Sequence, residues 1–196
     1  MSETFTLCGQ ARLQQDIRKS RFLALAAPVD GAESAMAFIA RVSAADATHN
    51  CWAWRNGAQY RFSDDGEPGG SAGRPILLAI DGQKLDRVAV VVARWFGGIK
   101  LGVGGLVRAY GGCAAECLRQ APRQRIVARV CARIRCDYAA AATLHARLRD
   151  FGAARQAEHA HADGTELDIE LPAEHVSTLA DFVRDLTRGH GVFELR

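Results

Sequence analysis

Residues 88–110 have the sequence VAVVVARWFGGIKLGVGGLVRAY, and this stretch decides the fold of the first half of the chain. Its first six residues are apolar without interruption, which is typical of a strand that is buried on both faces. Five of the ten residues from 96 to 105 are glycine, and they indicate a loop. Apolar residues at helical spacing then predict a helix over residues 106–120. A buried strand that ends at Arg94, a glycine-rich loop and a helix therefore follow one another.

The sequence before this stretch predicts further strands and helices around a tight hairpin. Asn56-Gly57 is the strongest local signal for a two-residue type I′ turn, and that register places Trp52 opposite Arg61. After the hairpin, residues 63–73 contain three carboxylates, four glycines and a proline, and they predict an irregular acidic turn. The elements predicted from periodicity are strands at 5–11, 21–29, 50–55 and 58–63 and helices at 31–45 and 74–80.

The sequence after Pro122 predicts a second domain. We expect a first domain over residues 1–122 and a ferredoxin-like βαββαβ domain over residues 126–196, so the fold class is α+β. The outward positions of the two central strands of the second domain carry Arg129, Arg133 and Arg135 on one strand and Glu166, Asp168 and Glu170 on the other. Opposite charges on neighbouring strands indicate cross-strand pairing, whereas RNA-binding sheets of this topology carry aromatic residues there.

Composition excludes several classes of protein. The chain has 196 residues with a formal net charge of +3, and it has no apolar run of the roughly 20 residues that span a bilayer. Residues 1–10 lack the pattern of a signal peptide, so we expect a cytoplasmic protein without a membrane partner. The six cysteines form no C-x-x-C pair and are expected to be buried, reduced thiols.

The glycine-rich loop is the first candidate site. It follows a strand and ends at a helix N-terminus, where free amides and the helix dipole favour an anion, and Arg94 and Lys100 add positive charge. Leu101 follows Lys100, so the loop is not a Walker A motif, and Val107 stands where a dinucleotide fingerprint needs its third glycine. A tight crossover that needs positive φ explains the glycines equally well.

The acidic turn and His49 are further candidates. Asp64, Asp65 and Glu67 are oxygen ligands of the kind that a divalent cation prefers, although a self-capped turn needs the same residues. A third arrangement pairs these carboxylates with Arg94 and Lys100 across a cleft. His49 has the chemistry of a general base, but no nucleophile motif accompanies it, and a lone histidine is usually structural.

Three segments together resemble a known family. They are DATHN at residues 46–50, SDDGEPGGSAGRP at residues 63–75 and VVARWFGGIKLGVGGLVRAY at residues 91–110. These motifs resemble the IMPACT family, in its bacterial branch of YigZ-like proteins. The resemblance implies a first domain folded like the second domain of ribosomal protein S5. It implies a second domain similar to the last domain of elongation factor G.

The resemblance also implies a link to translation, because eukaryotic members regulate initiation under amino-acid stress. The family offers no settled catalytic residues, and we assign no catalytic residue, cofactor or metal ligand from the sequence. Matching the family motifs and adding one exposed arginine of the predicted helix gives these candidate binding residues: His49, Asp64, Asp65, Glu67, Arg94, Gly97, Gly98, Lys100, Gly102, Gly105 and Arg108.

Two functional hypotheses follow from these residues. In the first, a non-enzymatic regulator uses Arg94, Lys100, Arg108 and Arg119 to contact RNA, the ribosome or a ribosome-associated protein. Residues 84–125, with eight basic and two acidic residues, support it. In the alternative, an enzyme or sensor binds a phosphorylated metabolite at the glycine-rich loop, with a divalent metal on the acidic turn. That alternative requires the two loops to converge. The sequence leaves the oligomeric state open.

Overall fold

The computed structural model describes residues 3–196, and the chain divides into two compact units, Met1–Ile126 and Val127–Arg196. Met1 and Ser2 lie outside the described residues; they begin the predicted first domain and the segment screened for a signal peptide. No helix among residues 3–196 is both long enough and apolar enough to cross a membrane.

The first unit is built on an antiparallel five-stranded sheet whose order is β2-β3-β6-β4-β5. The central strand, β6, carries the apolar run predicted to be buried on both faces, and Val88 to Ala93 are at most 1% exposed. The short strands β1 and β7 form a separate pair. The strands are β1 (Phe5–Leu7), β2 (Ala11–Ile17), β3 (Ser20–Pro28), β4 (His49–Asn56), β5 (Gln59–Ser63), β6 (Val88–Trp95) and β7 (Arg123–Arg125).

Helices cover both faces of this sheet. α1 (Ala32–Val42) packs on one face through Ala35, Phe38 and Ile39. α2 (Gly73–Gly82) and α3 (Val103–Gln120) pack on the other face and contribute the larger apolar core. The predicted helices are confirmed as elements.

Two details of the predicted first unit are wrong. The strand predicted at 5–11 ends at Leu7, and a separate strand that was not predicted, β2, forms the hairpin with β3, through Arg18 and Lys19 at positive φ. In the β4–β5 hairpin, Asn56 pairs with Gln59, so the two loop residues are Gly57 and Ala58. Only the first of these has positive φ, which fits a type II′ turn rather than type I′. Trp54 therefore faces Arg61, and Trp52 faces Ser63.

The second unit confirms the ferredoxin-like pattern. Its antiparallel sheet has the order β11-β8-β10-β9, with β8 and β10 at the centre. The first strand begins at Arg129, three residues after the predicted start of the second domain, and short 3-10 turns extend the first helix and precede the second. The elements are β8 (Arg129–Cys136), α4 (Tyr138–Arg147), β9 (Ala154–His161), β10 (Gly164–Pro172), α5 (Val176–Leu186) and β11 (Val192–Leu195).

The charged face of this second sheet pairs as the sequence predicted. Arg133 donates to Asp168 through Nε and one terminal nitrogen at 2.8 and 3.0 Å, and Arg135 donates to Glu166 at 2.6 Å. These bonds hold the pKa of both carboxyl groups below their usual values. Arg129 lies 3.3 Å from Glu170. The arginines of this face are therefore neutralised within the sheet.

The prediction for the cysteines is confirmed for four of the six. Cys51, Cys113, Cys117 and Cys136 are buried free thiols, whereas Cys8 and Cys131 are exposed. Cys8 directly follows β1, just beyond its last core residue, Leu7, and Cys131 lies on the outward face of β8.

Candidate functional site

Four chain segments meet at one end of the five-stranded sheet. β4 is antiparallel to β6, so its first residue, His49, pairs with Arg94 near the end of β6. The acidic turn follows the end of β5, which lies beside the start of β4, and the glycine-rich loop follows β6. The tight turn between β2 and β3 lies at the same end because β3 pairs antiparallel with β6. The two predicted loops therefore converge.

A buried ion pair connects the acidic turn to the central strand. Arg94 donates to Oε1 of Glu67 at 2.6 Å, and the two side chains are 6% and 4% exposed. The hydroxyl of Tyr110 on α3 donates to the same oxygen at 2.7 Å. The predicted pairing across a cleft is thus confirmed for Glu67 with Arg94. The pair has a structural role, because removing either partner would leave the other charge buried alone.

His49 is oriented with its Nε2 towards the Glu67 carboxylate. Its Nδ1 lies 2.7 Å from the backbone carbonyl of Asp65, which only accepts, so Nδ1 carries the hydrogen. Nε2 lies 3.9 Å from Oε1 of Glu67 and is an acceptor when the ring is neutral. The Asp65 carboxylate accepts the backbone N–H of Asn50 at 2.5 Å.

Asp64 organises the acidic turn from inside. Its carboxylate accepts the backbone N–H groups of Gly70, Ala72 and Gly73 at 2.8 to 2.9 Å. Burial opposes ionisation here, but these three donors outweigh it and lower the pKa of Asp64. The self-capped turn is therefore the arrangement that forms. Among residues 3–196, no group of three or more His, Cys, Asp or Glu side chains is placed to hold a metal ion.

Two further buried side chains lie beneath the acidic turn. Burial raises the pKa of the Cys51 thiol to about 12, and the thiol donates to the carbonyl of Asp64 at 3.0 Å. Burial likewise raises the pKa of Tyr110, so its hydroxyl stays protonated and donates to Glu67. Cys51 is therefore no nucleophile at neutral pH, since the thiolate is the reactive form.

The glycine-rich loop is shaped by backbone requirements. A Cβ on Gly97 would lie 1.9 Å from the carbonyl oxygen of Lys19, so this position needs glycine for close packing. Gly102 has φ +73° and ψ +163°, a conformation that is essentially restricted to glycine. The helix begins at Val103, so Gly105 lies in its first turn and the loop is shorter than predicted. Gly98 has φ +86°.

Four exposed cations surround this loop. Lys100 lies in it, Arg108 folds back towards Gly104 on the first turns of α3, and Arg18 and Lys19 form the adjoining β2–β3 turn. None of the four takes part in an ion pair within the described part of the chain. We call them the loop cations, and they differ from Arg94, which is enclosed and paired.

A pocket of about 380 Å³ lies between the loop and the acidic turn. Its polar contributors include His49, Glu67, Arg94 and Lys100. Its walls are mainly apolar and come from Pro68, Phe96, Leu101, Val103 and Leu106.

Residues that the sequence analysis missed complete this end of the sheet. Tyr110 was predicted only as part of an apolar stripe, yet its hydroxyl binds Glu67. Ser20 is fully buried and accepts from the backbone N–H of Gly97 at 3.3 Å. Phe96 is 46% exposed beside the pocket. For Phe96, the available sequence signal was its position next to a run of glycines. That position does not show whether the ring is buried in the core or exposed at the surface.

Comparison with known proteins places this site in a family. Residues 18–118 match the Impact N-terminal domain, and residues 134–190 match a domain of unknown function (DUF1949). The chain belongs to the IMPACT family. An IMPACT family member of Thermus thermophilus is 48% identical over 177 residues, which cover 88% of this chain and 96% of the relative. The IMPACT family member YigZ of Escherichia coli (strain K12) is 38% identical over 182 residues, 89% of each chain.

A solved structure shows the same architecture over the whole length. It is a crystal structure described as that of a hypothetical protein, 35% identical, with a TM-score of 0.72. The match covers 99% of this IMPACT-family chain and 97% of the solved chain. Membership in the family thus accounts for both units but names no ligand. The ligand has to be inferred from the geometry of the site.

Proposed function

We propose that this IMPACT-family chain is a non-enzymatic binding module of translation that contacts RNA of the ribosome through the loop cations. The observation that carries the proposal is that Lys100, Arg108 and the Arg18-Lys19 turn are exposed and unpaired around one loop. Elsewhere, on the second sheet, arginines are neutralised by carboxylates. Unpaired surface cations around a helix N-terminus attract phosphate. The link to translation comes from the family resemblance.

Only some of the basic residues within residues 84–125 lie near the glycine-rich loop. Lys84 lies before β6 and Arg123 lies after α3, so both are at the opposite end of the first unit from Lys100. The eight residues of β6 separate the two ends by about 25 Å. Arg119 is engaged with Glu116 at 2.6 Å. Only part of the segment therefore belongs to the proposed contact.

Co-sedimentation with ribosomes over a salt series tests this proposal. The variant Lys100→Gln/Arg108→Gln removes two loop cations without disturbing the buried pair. If both contact phosphates, the slope of log Kobs against log salt becomes shallower by about 1.4 to 1.8. The matched control is Lys84→Gln/Arg123→Gln, which removes two exposed cations at the other end.

An equal slope in the wild type and the first variant would contradict the proposal. Binding that does not respond to salt would indicate a protein partner instead. A phosphorylated metabolite remains the second candidate, because the acidic turn and the glycine-rich loop meet in one pocket as that hypothesis requires. Without any ribosome binding, a thermal-stability screen with phosphorylated compounds would test it.

A further inference from the structure

We propose that the pocket beside the glycine-rich loop binds one unpaired nucleoside phosphate unit. The base lies against Phe96 in the apolar part, and the phosphate lies at the first turn of α3 beside Lys100. The inference deepens the proposed function, since it rests on the same site. The unit has two sources, single-stranded RNA and free nucleotides, and both present the same chemistry.

The apolar part of the pocket suits a flat ring. Phe96 is 46% exposed, and the guanidinium of Arg94 lies 5.4 Å from the centre of its ring. Leu101 and Leu106 add aliphatic surface. Exposed aromatic rings beside cations are the platforms on which unpaired bases stack. The volume of about 380 Å³ lies in the range of small-molecule sites.

The start of α3, which also lines the pocket, suits a phosphate. α3 has 18 residues, and its first turn contains no acidic residue. Gly102 precedes the helix and provides no side-chain cap, so the first amides have no side-chain acceptor. Gly102, Val103 and Lys100 all line the pocket. Free amides, the helix dipole and an ammonium group therefore face the same space.

An unsatisfied donor gives independent support for a polar ligand. The side chain of Arg94 is 94% buried and lines the pocket, but its Nε has no hydrogen-bond partner in the part of the chain that the structure describes. Unpaired buried donors are rare in folded proteins and call for an explanation. A polar ligand that enters the pocket and shifts this guanidinium would satisfy the donor.

The floor of the pocket favours a base over the apolar side chain of an acidic peptide. In a neutral imidazole whose Nδ1 donates to Asp65, Nε2 of His49 is an acceptor, and the Glu67 carboxylate accepts only. These acceptors complement the amino and ring N–H donors on the edges of bases. An aliphatic or phenyl side chain has no such donors and would leave Nε2 of His49 unpaired, whereas Glu67 already accepts from Arg94 and Tyr110.

Two variants, one for the base and one for the phosphate, test the proposal. Phe96→Ala removes the platform, and Val103→Glu places a carboxylate where the phosphate would lie. A negative charge at a helix N-terminus favours folding, so this second variant should remain stable. The matched controls are Phe62→Ala, an exposed phenylalanine on β5, and Val107→Glu, one turn further along α3.

The probes are a short single-stranded RNA with 2-aminopurine in place of one adenine, the same RNA as a duplex, and AMP, GMP, CMP and UMP. We expect the single strand to bind with a change in 2-aminopurine fluorescence and the duplex to bind more weakly. Loss of one base–aromatic stack in Phe96→Ala should weaken binding by about 5-fold to 150-fold. The controls should bind like the wild type.

The outcomes separate this proposal from the proposed function. Thermal stabilisation by a nucleoside monophosphate, lost in Phe96→Ala and Val103→Glu, supports the pocket and identifies free nucleotides as the source if RNA does not bind. Salt-dependent RNA binding that is equal in all four variants overturns the pocket but leaves the loop cations as the contact. Absence of binding to every probe also overturns it.

Discussion

The end of the first sheet and the outward face of the second sheet both contain several arginines, but the arginines have different partners. On the second sheet, Arg133 and Arg135 bind carboxylates of the neighbouring strand. At the end of the first sheet, Glu67 is bound by Arg94 inside the protein, while Asp64 and Asp65 accept backbone N–H groups. Lys100 and Arg108 are left exposed. Pairing, rather than the number of cations, distinguishes a candidate binding surface from a self-neutralised one.

The largest effect that tests this comparison is expected from Glu67→Gln. It leaves the buried Arg94 guanidinium without its counter-charge, which costs about 3–5 kcal/mol when one partner of a buried pair is removed. Denaturant unfolding followed by tryptophan fluorescence measures it, because Trp52, Trp54 and Trp95 all lie in the first unit.

Glu116→Gln is the matched control, since Glu116 pairs with Arg119 on the surface of the same unit. Exposed pairs contribute up to about 1 kcal/mol. Similar losses in the two variants would show that burial of the Glu67–Arg94 pair has no energetic consequence.

The next largest effect on stability is expected at Gly97, and Gly112 in the same unit should respond with the opposite sign. Gly97→Ala forces a Cβ to within 1.9 Å of the Lys19 carbonyl oxygen, and overpacking of this kind costs about 1–3 kcal/mol or more. Gly112→Ala, in α3 with no atom within 4 Å of the new Cβ, should instead stabilise the unit by about 0.5–1 kcal/mol. Thermal unfolding of both variants measures the sign of each change in stability. An unchanged stability in Gly97→Ala would contradict the close approach of Gly97 to Lys19.

The elements that the sequence predicted correctly are those specified by local patterns. The apolar run of β6, the stripe of α3 and the alternation of β8 and β10 each depend on residues close in the chain. The β4–β5 register was missed because Asn56-Gly57 fits a type I′ turn locally, whereas the pairing of Trp54 with Ala89 on β6 helps set the strand's position. The split of β1 from β2 depends on pairing with β7, more than 100 residues away.

The candidate site was predictable to the same degree. The sequence identified Glu67, Arg94 and the two loops, because charged and glycine-rich motifs are visible without a structure. It did not separate the buried Arg94 from the exposed Lys100, since burial depends on where β3 and α3 pack. Tyr110 was missed for a related reason, as its hydroxyl finds Glu67 only when the acidic turn folds over the sheet.

A smaller effect is expected from Asp64→Asn in the acidic turn. The amide cannot accept from all three N–H donors and lacks the charge that strengthens these bonds, so we expect a loss of about 1–3 kcal/mol. Because the pKa of Asp64 is lowered from 3.8, its contribution is complete above that pH and is lost as pH falls through the lower folded-state pKa. The free energies of unfolding of wild type and variant should therefore converge in acid. A difference that stays constant with pH would show that the ionised Asp64 carboxylate is not the source of the stabilisation.

The smallest effect is expected from Arg133→Gln on the second sheet, and salt makes it the sharpest test of the comparison. Arg133 bonds hold the pKa of Asp168 low, so their contribution is present above pH 3.8 and is lost as pH falls through the folded-state pKa. The side chains of Arg133 and Asp168 are 23% and 22% exposed, more than those of Arg94 and Glu67, so about 1 M salt should reduce the difference between variant and wild type. The loss in Glu67→Gln should persist at the same salt because that pair is buried.

Unfolding of each variant at low and high salt, followed by circular dichroism for the second unit and tryptophan fluorescence for the first, measures both responses. If both losses respond to salt equally, the two regions do not differ in the screening of their ion pairs.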